Sequence, residues 1–280
     1  MTSEPRVTAI VVVYNKSVEN SATCAGIREC GHTVDVVVVD NSECDYGNTT
    51  ACAALGYRYV SMGGNAGLSR AYNTAIDVSE GADAFILLDD DTEVGRDYFD
   101  ALFEALSVHD EVDVFAPVMV GQDGVVWSPN NSNFMKNELL SSVDEDPDPA
   151  RFNAIASCLC LRARVFKDYR FDERLFVDQI DQNLCDDLRA QKRSFMKLPV
   201  IVKQNFYQRG EGLTPEQGWG RLRLRIIDMM RYSRIKGLKY VAMGYVKCCG
   251  LGLQIARKTG SAAVFGKALR LSTSLLVKPR

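Results

Sequence analysis

Four short, nearly uninterrupted runs of β-branched and aliphatic residues constrain the fold of this chain more than any other feature. They are VTAIVVVYN at 7–15, TVDVVVVDNS at 33–42, YRYVSM at 57–62 and AFILLDDD at 84–91. Such runs are typical of strands that are buried on both faces of a parallel sheet. Helix-compatible segments at 19–31 and 67–81 separate them. Strands that alternate with helices predict an α/β fold with parallel strands and right-handed crossovers.

Beyond residue 91 the alternation continues less regularly. The predicted elements are a helix at 97–107, a strand at 112–120, a strand leading into a helix at 154–166, an acidic helix within 173–191 and a strand at 195–208. The polar stretch at 128–150 contains several Asn, Ser, Asp and Pro residues and predicts a mobile loop. From residue 214 onward the pattern predicts helices.

Charge is distributed unevenly along the 280 residues. The segment from Glu216 to the C-terminus contains fourteen Lys and Arg residues and two acidic ones, whereas the preceding part contains nineteen basic and thirty-four acidic residues. We therefore divide the chain into a body, 1–213, and a basic helical region, 214–280. Amphipathic basic helices favour binding to an anionic membrane surface. The alternative is a basic cap that packs on the acidic body, with a possible homodimer contact. No nucleic-acid-binding module accompanies the charge.

The cysteines and the N-terminus bear on location. The chain has nine cysteines without a CxxC spacing and only two histidines, His32 and His109. This composition favours reduced core thiols over a zinc site and therefore a cytoplasmic protein. The first residues lack the features of a signal peptide, and no run of apolar residues is long enough to predict a membrane span. We expect a cytoplasmic protein that is peripheral at the inner face of the cell membrane.

Three of the predicted strands end in polar residues. These are Tyr14 and Asn15, then Asp40 and Asn41, then the triplet Asp89, Asp90 and Asp91. In open α/β sheets ligands bind at the carboxyl ends of the strands. Carboxylates are hard oxygen ligands that suit Mg²⁺ or Mn²⁺, and such a cation can hold a diphosphate. The alternative for the triplet is an acidic loop that caps the next helix.

Five segments together identify a family. They are VVVYN at 11–15, VVVDNS at 37–42, GGNAGLSRAYNTAI at 63–76, LLDDDTEV at 87–94 and FDERLFVDQIDQNL at 171–184. In this order they resemble the inverting family 2 glycosyltransferases of GT-A fold, in particular the bacterial rhamnosyltransferase and galactofuranosyltransferase branch. The resemblance covers residues 6–210. It implies a GT-A type fold, a Rossmann-like mixed sheet flanked by helices, here with a C-terminal basic helical extension.

The resemblance implies roles on the donor side. Asp91 and Asp89 would bind Mn²⁺ or Mg²⁺. The residues that would contact the nucleotide sugar, Asp89 again among them, are Tyr14, Asn15, Asp40, Asn41, Asn65, Gly67, Arg70, Asp89 and Asp90. The carboxylate of Asp40 can accept a hydrogen bond from N3–H of uracil or thymine, or it can simply turn the chain. Arg70 can meet a phosphate or lie on the surface. The glycines at 63–67 do not follow the GxGxxG spacing of a dinucleotide site.

The acceptor side carries the expected base. Inverting transfer needs a group that takes the proton of the acceptor hydroxyl. By resemblance that group is Asp181, and Asp178 shapes the acceptor side. We also expect the segments that begin at Trp127 and at Ala154 to shape the acceptor side. The alternative for Asp181 is a helix cap that contacts no substrate. The sequence departs from the family where Asn183 replaces a second acid and Asp187 replaces an Arg.

A further departure concerns the metal. Many relatives have an additional His ligand after this helix, but neither His32 nor His109 lies there. Gln204, Asn205, Tyr207 or water would substitute for it.

The expected function is transfer of a sugar, rhamnose first and galactofuranose second, from a dTDP- or UDP-sugar to a cell-surface polysaccharide or a lipid-linked acceptor. One alternative is a catalytically silent scaffold that binds the nucleotide sugar. Another is a sugar-nucleotide pyrophosphorylase, which would need a glycine-rich loop after the first strand that residues 14–24 do not contain.

Overall fold

The structure is a computed structural model that describes residues 4–204 and 213–277. Its strands are β1 Val7–Val13, β2 Val34–Asp40, β3 Arg58–Ser61, β4 Ala84–Asp89, β5 Val114–Gly121, β6 Val126–Ser128, β7 Asn130–Asn131, β8 Glu138–Leu139, β9 Phe152–Asn153, β10 Leu159–Arg162 and β11 Phe195–Gln204. Its α-helices are α1 Ala22–Glu29, α2 Asn48–Leu55, α3 Leu68–Val78, α4 Arg96–Val108, α5 Ile180–Ala190, α6 Pro215–Lys236, α7 Leu238–Thr259 and α8 Ala262–Val277.

One large mixed sheet organises the body, in the order β11-β5-β10-β4-β1-β2-β3, with β6 paired to β5. Strand β1 runs parallel to β2 and β4, and β2 runs parallel to β3, as the β-branched runs predict. Strand β10 is antiparallel to both β4 and β5, which makes the sheet mixed. Strand β11 is again parallel to β5. The predicted α/β fold with a mixed sheet flanked by helices is confirmed.

Both faces of the sheet are covered, which explains why its strands are almost continuously apolar. Ile10 and Val12 of β1 face a core that includes apolar side chains of α3, α5 and α6. Val11 and Val13 face the opposite core, which α1, α2 and α4 cover. The alternation of side chains along a strand therefore supplies two cores from one sequence run.

Two predictions of local structure are incomplete. The stretch at 128–150 is largely loop, as predicted, but it also contains short strands: β7 pairs with β8 and with β9 in a small antiparallel sheet. Strands of two residues are too short to leave a periodic signal in the sequence. After β10 the chain enters a helix, as predicted, but this helix is short and of the 3-10 type, Ala163–Lys167.

Helices α6, α7 and α8 form the basic region. Thr214 and Gln217 form a capping box at the start of α6, with Pro at the first helical position. Leu222 and Ile226 of α6 are buried in the same core as Leu184 of α5. The boundary between 1–213 and 214–280 stays a prediction about organisation, because α6 shares its core with the body.

The contact between α6 and α7 is close enough to require glycine. A Cβ atom on Gly244 would lie 1.9 Å from the hydroxyl oxygen of Ser233, whereas a Cβ atom on Gly250 would meet nothing within 4 Å. Ser233 is fully buried, and its hydroxyl donates to the Met229 carbonyl at 2.6 Å.

We therefore expect Gly244→Ala to lower the free energy of unfolding by about 1–3 kcal/mol, since overpacking forces the helices apart. Gly250→Ala on the same helix should raise that free energy by about 0.5–1 kcal/mol, because it removes only backbone freedom. Urea denaturation of both variants measures the difference. Equal effects of the two substitutions would contradict the observed packing.

Candidate active site

The polar strand ends meet at one edge of the sheet. Val13 at the end of β1 pairs with Asp40 of β2, and Val12 pairs with Asp89 of β4. Gln204 at the end of β11 pairs with Gly121 of β5 at the same edge. Parallel register therefore brings together residues that are far apart in the sequence, as predicted for Asp40 and Asp89.

Helix α1 fixes the backbone of the acidic triplet. The hydroxyl of Ser21, which caps α1, donates to the carbonyl oxygen of Asp90 at 2.8 Å. The Thr23 hydroxyl lies 2.5 Å from the carbonyl oxygen of Asp89 and accepts a hydrogen bond from the Thr92 amide. The sequence analysis did not assign a role to Ser21 or Thr23. Their Ser-x-Thr spacing signals only a helix cap, and the contact with residue 89 is long-range.

The carboxylates of Asp89 and Asp181 belong to one electrostatic cluster. Burial raises the pKa of Asp89 to about 6, and the neighbouring charges of Asp91, Asp90 and Asp181 add to this. Burial likewise raises the pKa of Asp181 to about 6, with a contribution from Asp178. The structure therefore brings the predicted base beside the predicted metal ligands, although Asp181 lies 92 positions after Asp89 in the sequence.

Gln204, at the end of β11, is a polar partner of Asp89. Its side chain hydrogen-bonds the Asp89 carboxylate, while its own Oε1 is buried without a hydrogen-bond partner. Asn205 and Tyr207, the other predicted substitutes for the family's His, lie outside the described residues. The Trp127 indole packs over Gly121, the β5 residue paired with Gln204, and donates to Asp123 at 3.3 Å.

The oxygen atoms of these side chains are of the type that binds a divalent cation. Asp89, Asp91 and the unpaired Gln204 Oε1 offer hard oxygen atoms, which Mg²⁺ and Mn²⁺ prefer. Within residues 4–204 and 213–277, no three or more His, Cys, Asp or Glu side chains are grouped to hold a metal ion. A site here therefore depends on an amide oxygen, on water or on the diphosphate of a substrate. Asp89 and Asp91 stay predicted ligands.

Lys16 is a residue that the sequence analysis missed. It follows β1, and its ammonium nitrogen lies 3.4 Å from Asp90 Oδ1. Burial raises the pKa of Asp90, and Lys16 opposes that shift. A lysine at the carboxyl edge of the sheet is also well placed to meet a phosphate, but a single Lys after a strand gives no sequence signal of its own.

Tyr14 and Asn15 form the turn after β1. Tyr14 is 47% exposed. Asn15 has a φ of 51°, a left-handed conformation that Asn tolerates better than most residues. Its Oδ1 accepts from the Glu43 amide at 3.0 Å, and its own amide donates to the Ser42 hydroxyl at 2.9 Å. The turns after β1 and β2 thereby hold each other, which leaves the Tyr14 ring open to a ligand.

Asp40 is almost completely buried and holds the turn after β2. Its two oxygens accept from the Ser42 amide at 2.8 Å, from the Asn48 side chain at 2.8 Å and from the Tyr59 hydroxyl at 3.1 Å. A carboxylate has about four acceptor positions, so these bonds leave room for one more donor. The alternative role of turning the chain therefore has direct geometric support, and contact with a nucleotide base stays a prediction.

Asn41 joins the end of β2 to the turn before α3. Its amide nitrogen donates to the Gly67 carbonyl at 3.4 Å, and its oxygen accepts from the Ala66 amide at 3.3 Å. Gly67 has a φ of 90°, and a Cβ there would lie 2.7 Å from the Phe176 ring. Gly67 is therefore required by the fold where the predicted nucleotide turn meets the loop before α5. Asn65 in that turn is exposed.

Arg70 forms a surface ion pair with Glu173. Its Nε lies 3.3 Å from Glu173 Oε2, and both side chains are at least half exposed. This geometry corresponds to the surface alternative for Arg70. A phosphate contact would require the ion pair to open.

Asp178 and Asp181 flank the start of α5. Gln179 adopts a φ of 64°, and α5 begins at Ile180. The Gln182 amide donates to Asp181 Oδ1 at 2.8 Å, so Asp181 also caps the first turn. Arg221 of α6 lies 3.0 Å from Asp178 Oδ2, an ion pair without hydrogen-bond alignment.

The residues that depart from the family pattern, and their neighbours, find partners on α5 and α6. The Asn183 amide donates to Asp187 Oδ2 at 2.9 Å, one turn along α5. Arg189 pairs with Asp186, which also accepts from the Tyr232 hydroxyl at 2.6 Å and lies 2.8 Å from Lys236. The helix register around Asp181 is therefore kept by contacts other than the family's second acid.

Gln182, the neighbour of Asp181, ties the acceptor side to α5. Its amide nitrogen donates to the Ser132 hydroxyl at 2.7 Å, and its oxygen accepts from Asn137 at 3.0 Å. The segment that contains Ser132 and Asn137 begins at Trp127, as the sequence analysis proposed for an acceptor wall. A ligand bound against this segment would lie close to Gln182, the residue that follows Asp181.

Comparison with known proteins defines the class. The fold matches that of glycosyltransferases. The model of the family described as Glycosyl transferase family 2 matches residues 8–197. The chain therefore belongs to glycosyl transferase family 2, and the predicted enzyme class is confirmed. The rhamnosyltransferase and galactofuranosyltransferase branch stays a prediction.

Two solved structures support the GT-A fold. Residues 1–349 of S. aureus TarS in complex with UDP match with a TM-score of 0.52 at 14% identity, over 98% of this chain and 75% of that one. GalNAc-T7 with UDP, GalNAc and Mn²⁺ matches with a TM-score of 0.57 at 12% identity, over 98% of this chain and 58% of that one. No curated protein matches the chain.

The structure can be compared with two expectations from the sequence, one about the cysteines and one about membrane spans. All nine cysteines are free, and seven of them are buried, as expected for core thiols. Among the helices of the described residues, none is long and apolar enough to cross a membrane.

The raised pKa of Asp89 has a consequence for stability. A carboxyl group with a pKa of 3.8 when unfolded and about 6 when folded binds its proton more tightly in the folded state. The free energy of unfolding therefore falls as pH rises from about 4 to about 6. Above that range the full destabilisation by the ionised, buried carboxylate remains.

We expect Asp89→Asn to raise the free energy of unfolding of the metal-free protein by about 1–3 kcal/mol near neutral pH and to have little effect near pH 4. Glu93→Gln is the matched control, because it removes an equal charge from an exposed side chain close by. Urea titrations across this pH range measure both. Stabilisation that does not depend on pH would contradict the assigned cause.

Proposed function

We propose that this protein is a metal-dependent, inverting glycosyltransferase that moves a sugar from a dTDP- or UDP-sugar to a hydroxyl of a cell-surface polysaccharide or a lipid-linked acceptor. Rhamnose is the first candidate for the sugar and galactofuranose the second. One observation carries the proposal: the carboxylates of Asp181 and Asp89 lie in one cluster at the carboxyl edge of the sheet, and both have a pKa near 6.

Asp181 is the proposed base. A pKa of about 6 makes its carboxylate more basic than an ordinary Asp while leaving it largely ionised at neutral pH. It takes the proton of the acceptor hydroxyl as the oxygen attacks the anomeric carbon from the face opposite the leaving nucleotide. The reaction is thus a single displacement with inversion, and Asp178 and the segment from Trp127 line the acceptor side.

The donor diphosphate is proposed to lie over the acidic triplet. A bound Mn²⁺ or Mg²⁺ would neutralise the charge that develops on the departing diphosphate. Asp89, Asp91 and Gln204 would hold the cation, and Lys16 would approach the phosphates. The structures of S. aureus TarS and GalNAc-T7 contain UDP, and that of GalNAc-T7 also contains Mn²⁺. Tyr14, Asn15, Asn41, Asn65 and Gly67 would border the nucleotide.

The basic region is proposed to attach the enzyme to the inner face of the cell membrane. Met243, Val246 and Leu253 form an exposed apolar stripe on α7, and Val246 is 59% exposed. Lys239 and Arg257 lie at the two ends of this stripe. The sequence has no Asp or Glu after residue 228. An apolar stripe between basic residues suits an anionic leaflet, where a lipid-linked acceptor would also be found.

The reaction is tested by Asp181→Asn. We expect sugar transfer to fall by about a hundredfold or more, because general base catalysis contributes at least this much. UDP or dTDP affinity should change little. Asp187→Asn is the control, since Asp187 is held by Asn183 within α5. The assay screens several UDP- and dTDP-sugars with a membrane-lipid extract, with and without EDTA and added Mn²⁺.

Nucleotide binding without turnover by the wild type under every condition would favour a catalytically silent scaffold. Transfer that survives Asp181→Asn would exclude Asp181 as the base, and transfer that is indifferent to EDTA would exclude the cation.

Membrane attachment is tested by co-sedimentation with phosphatidylcholine vesicles that contain or lack phosphatidylglycerol. We expect Val246→Asp to lower binding to the anionic vesicles by about tenfold, because it replaces an apolar contact with the membrane by a negative charge. Val108→Asp on α4 is the control, since Val108 is 65% exposed on the body. Equal losses for both variants, or no binding by the wild type, would contradict the proposal.

A further inference from the structure

The loop immediately before α5 is held by a carboxylate of the basic region. Asp228 of α6 has no exposed surface. Its two oxygens accept hydrogen bonds from three consecutive backbone amides, those of Phe176 at 3.1 Å, Val177 at 2.8 Å and Asp178 at 2.9 Å. A buried carboxylate that accepts from several backbone N–H groups forms strong, charge-assisted bonds. Arg231, one turn along α6, lies 3.5 Å from the same carboxylate.

The same loop is held from its other side by the predicted nucleotide turn. The Leu68 amide, at the start of α3, donates to the Phe176 carbonyl at 2.7 Å. The Phe176 ring packs on Gly67 so closely that no side chain fits there. The backbone of Phe176 is therefore fixed between α3 and Asp228, and Asp181 follows five residues later.

The short connection gives this loop control over Asp181. Only Gln179, in its left-handed conformation, and Ile180 separate Asp178 from Asp181. A displacement of the loop backbone must therefore move the first turn of α5. The carboxylate of Asp181 would then move relative to Asp89, and a misplacement of about 1 Å can reduce a rate by about a hundredfold.

We infer that Asp228 is a positioning residue for sugar transfer: it fixes residues 176–178 and thereby sets the place of the Asp181 carboxylate. The inference rests on the proposed function, because it takes Asp181 to be the base. Helix α6 is on this view a component of the catalytic apparatus, and the basic region has a role in the reaction that is separate from membrane binding.

The groups that face Asp181 come from five parts of the fold. They are Asp178 from the loop, Arg225 from α6, Asp89 from β4 and, through their own shifted pKa values, Tyr72 from α3 and Cys185 from α5. Burial is the largest cause of the raised pKa of Asp181. If the loop loosens, water reaches the carboxylate and its pKa falls toward the ordinary value.

The test compares Asp228→Asn with the wild type. Asn has nearly the same shape but offers one acceptor oxygen instead of two. We expect kcat to fall by about tenfold or more with little change in the donor KM, and the acidic limb of the rate profile to move to lower pH. A purely structural role would lower the unfolding temperature without moving that limb.

Asp113→Asn is the matched control. Asp113 is also a buried carboxylate that accepts from a backbone amide, that of Ser194 at 3.1 Å, and from Arg164 at 2.7 Å. It precedes β5, at the edge of the sheet opposite the carboxylate cluster. It should cost stability and leave both kcat and the acidic limb unchanged.

A measurement on the wild type keeps the inference testable if Asp228→Asn does not fold. Hydrogen exchange of the amides at 176–178 should be as slow as that of α6, because the loop is released only when α6 leaves. Exchange at the rate of an open loop would overturn the inference. So would wild-type kcat and pH profile in Asp228→Asn when Asp181→Asn abolishes transfer. Full transfer by Asp181→Asn would instead overturn the proposed function.

Discussion

The burial of like charges at one edge of the sheet is the constraint around which the rest of the site is arranged. Asp89 and Asp181 repel each other, and burial raises the pKa of both. The fold accommodates this because the surrounding backbone is held without them: Ser21 and Thr23 fix the acidic triplet, and Asp228 fixes the approach to α5. Such an arrangement is costly to the free protein, and it suits a site where a cation and a diphosphate bring the compensating charges. The cost of the cluster to the free protein therefore supports the proposed cation and diphosphate site.

The parts of the site that the sequence reveals are those that follow from strand order. Asp40 and Asp89 end predicted parallel strands, so their meeting at one edge required only the fold class. Asp181 was assigned by resemblance to a family, and its closeness to Asp89 depends on the packing of α5 against the sheet. Lys16, by contrast, acquires its place beside Asp90 only through the turn after β1.

Long-range contacts account for most of what the sequence did not predict. Asp228 lies 52 residues from Phe176, and no local pattern connects an acid in a helix to a loop so distant. Asp40 was assigned to a nucleotide base, yet most of its bonding capacity serves Ser42, Asn48 and Tyr59, which a single strand end does not disclose. The two-residue strands β7 and β8 were missed because periodicity needs more residues than they have.

The net charge of the basic region combines residues that lie on two different surfaces. On α6, Arg221 and Lys236 face inward to Asp178 and Asp186, so their charges are matched by the body. On α7, Lys239 and Arg257 are exposed and have an apolar stripe between them, with no acid in the following sequence. The sequence analysis gave membrane binding and packing on the body as alternatives. Because α6 packs on the body and α7 has an exposed face, the two are compatible. Because α6 contacts the loop before Asp181 and α7 packs on α6 through Gly244, a membrane that holds α7 would also steady the helix that holds the loop.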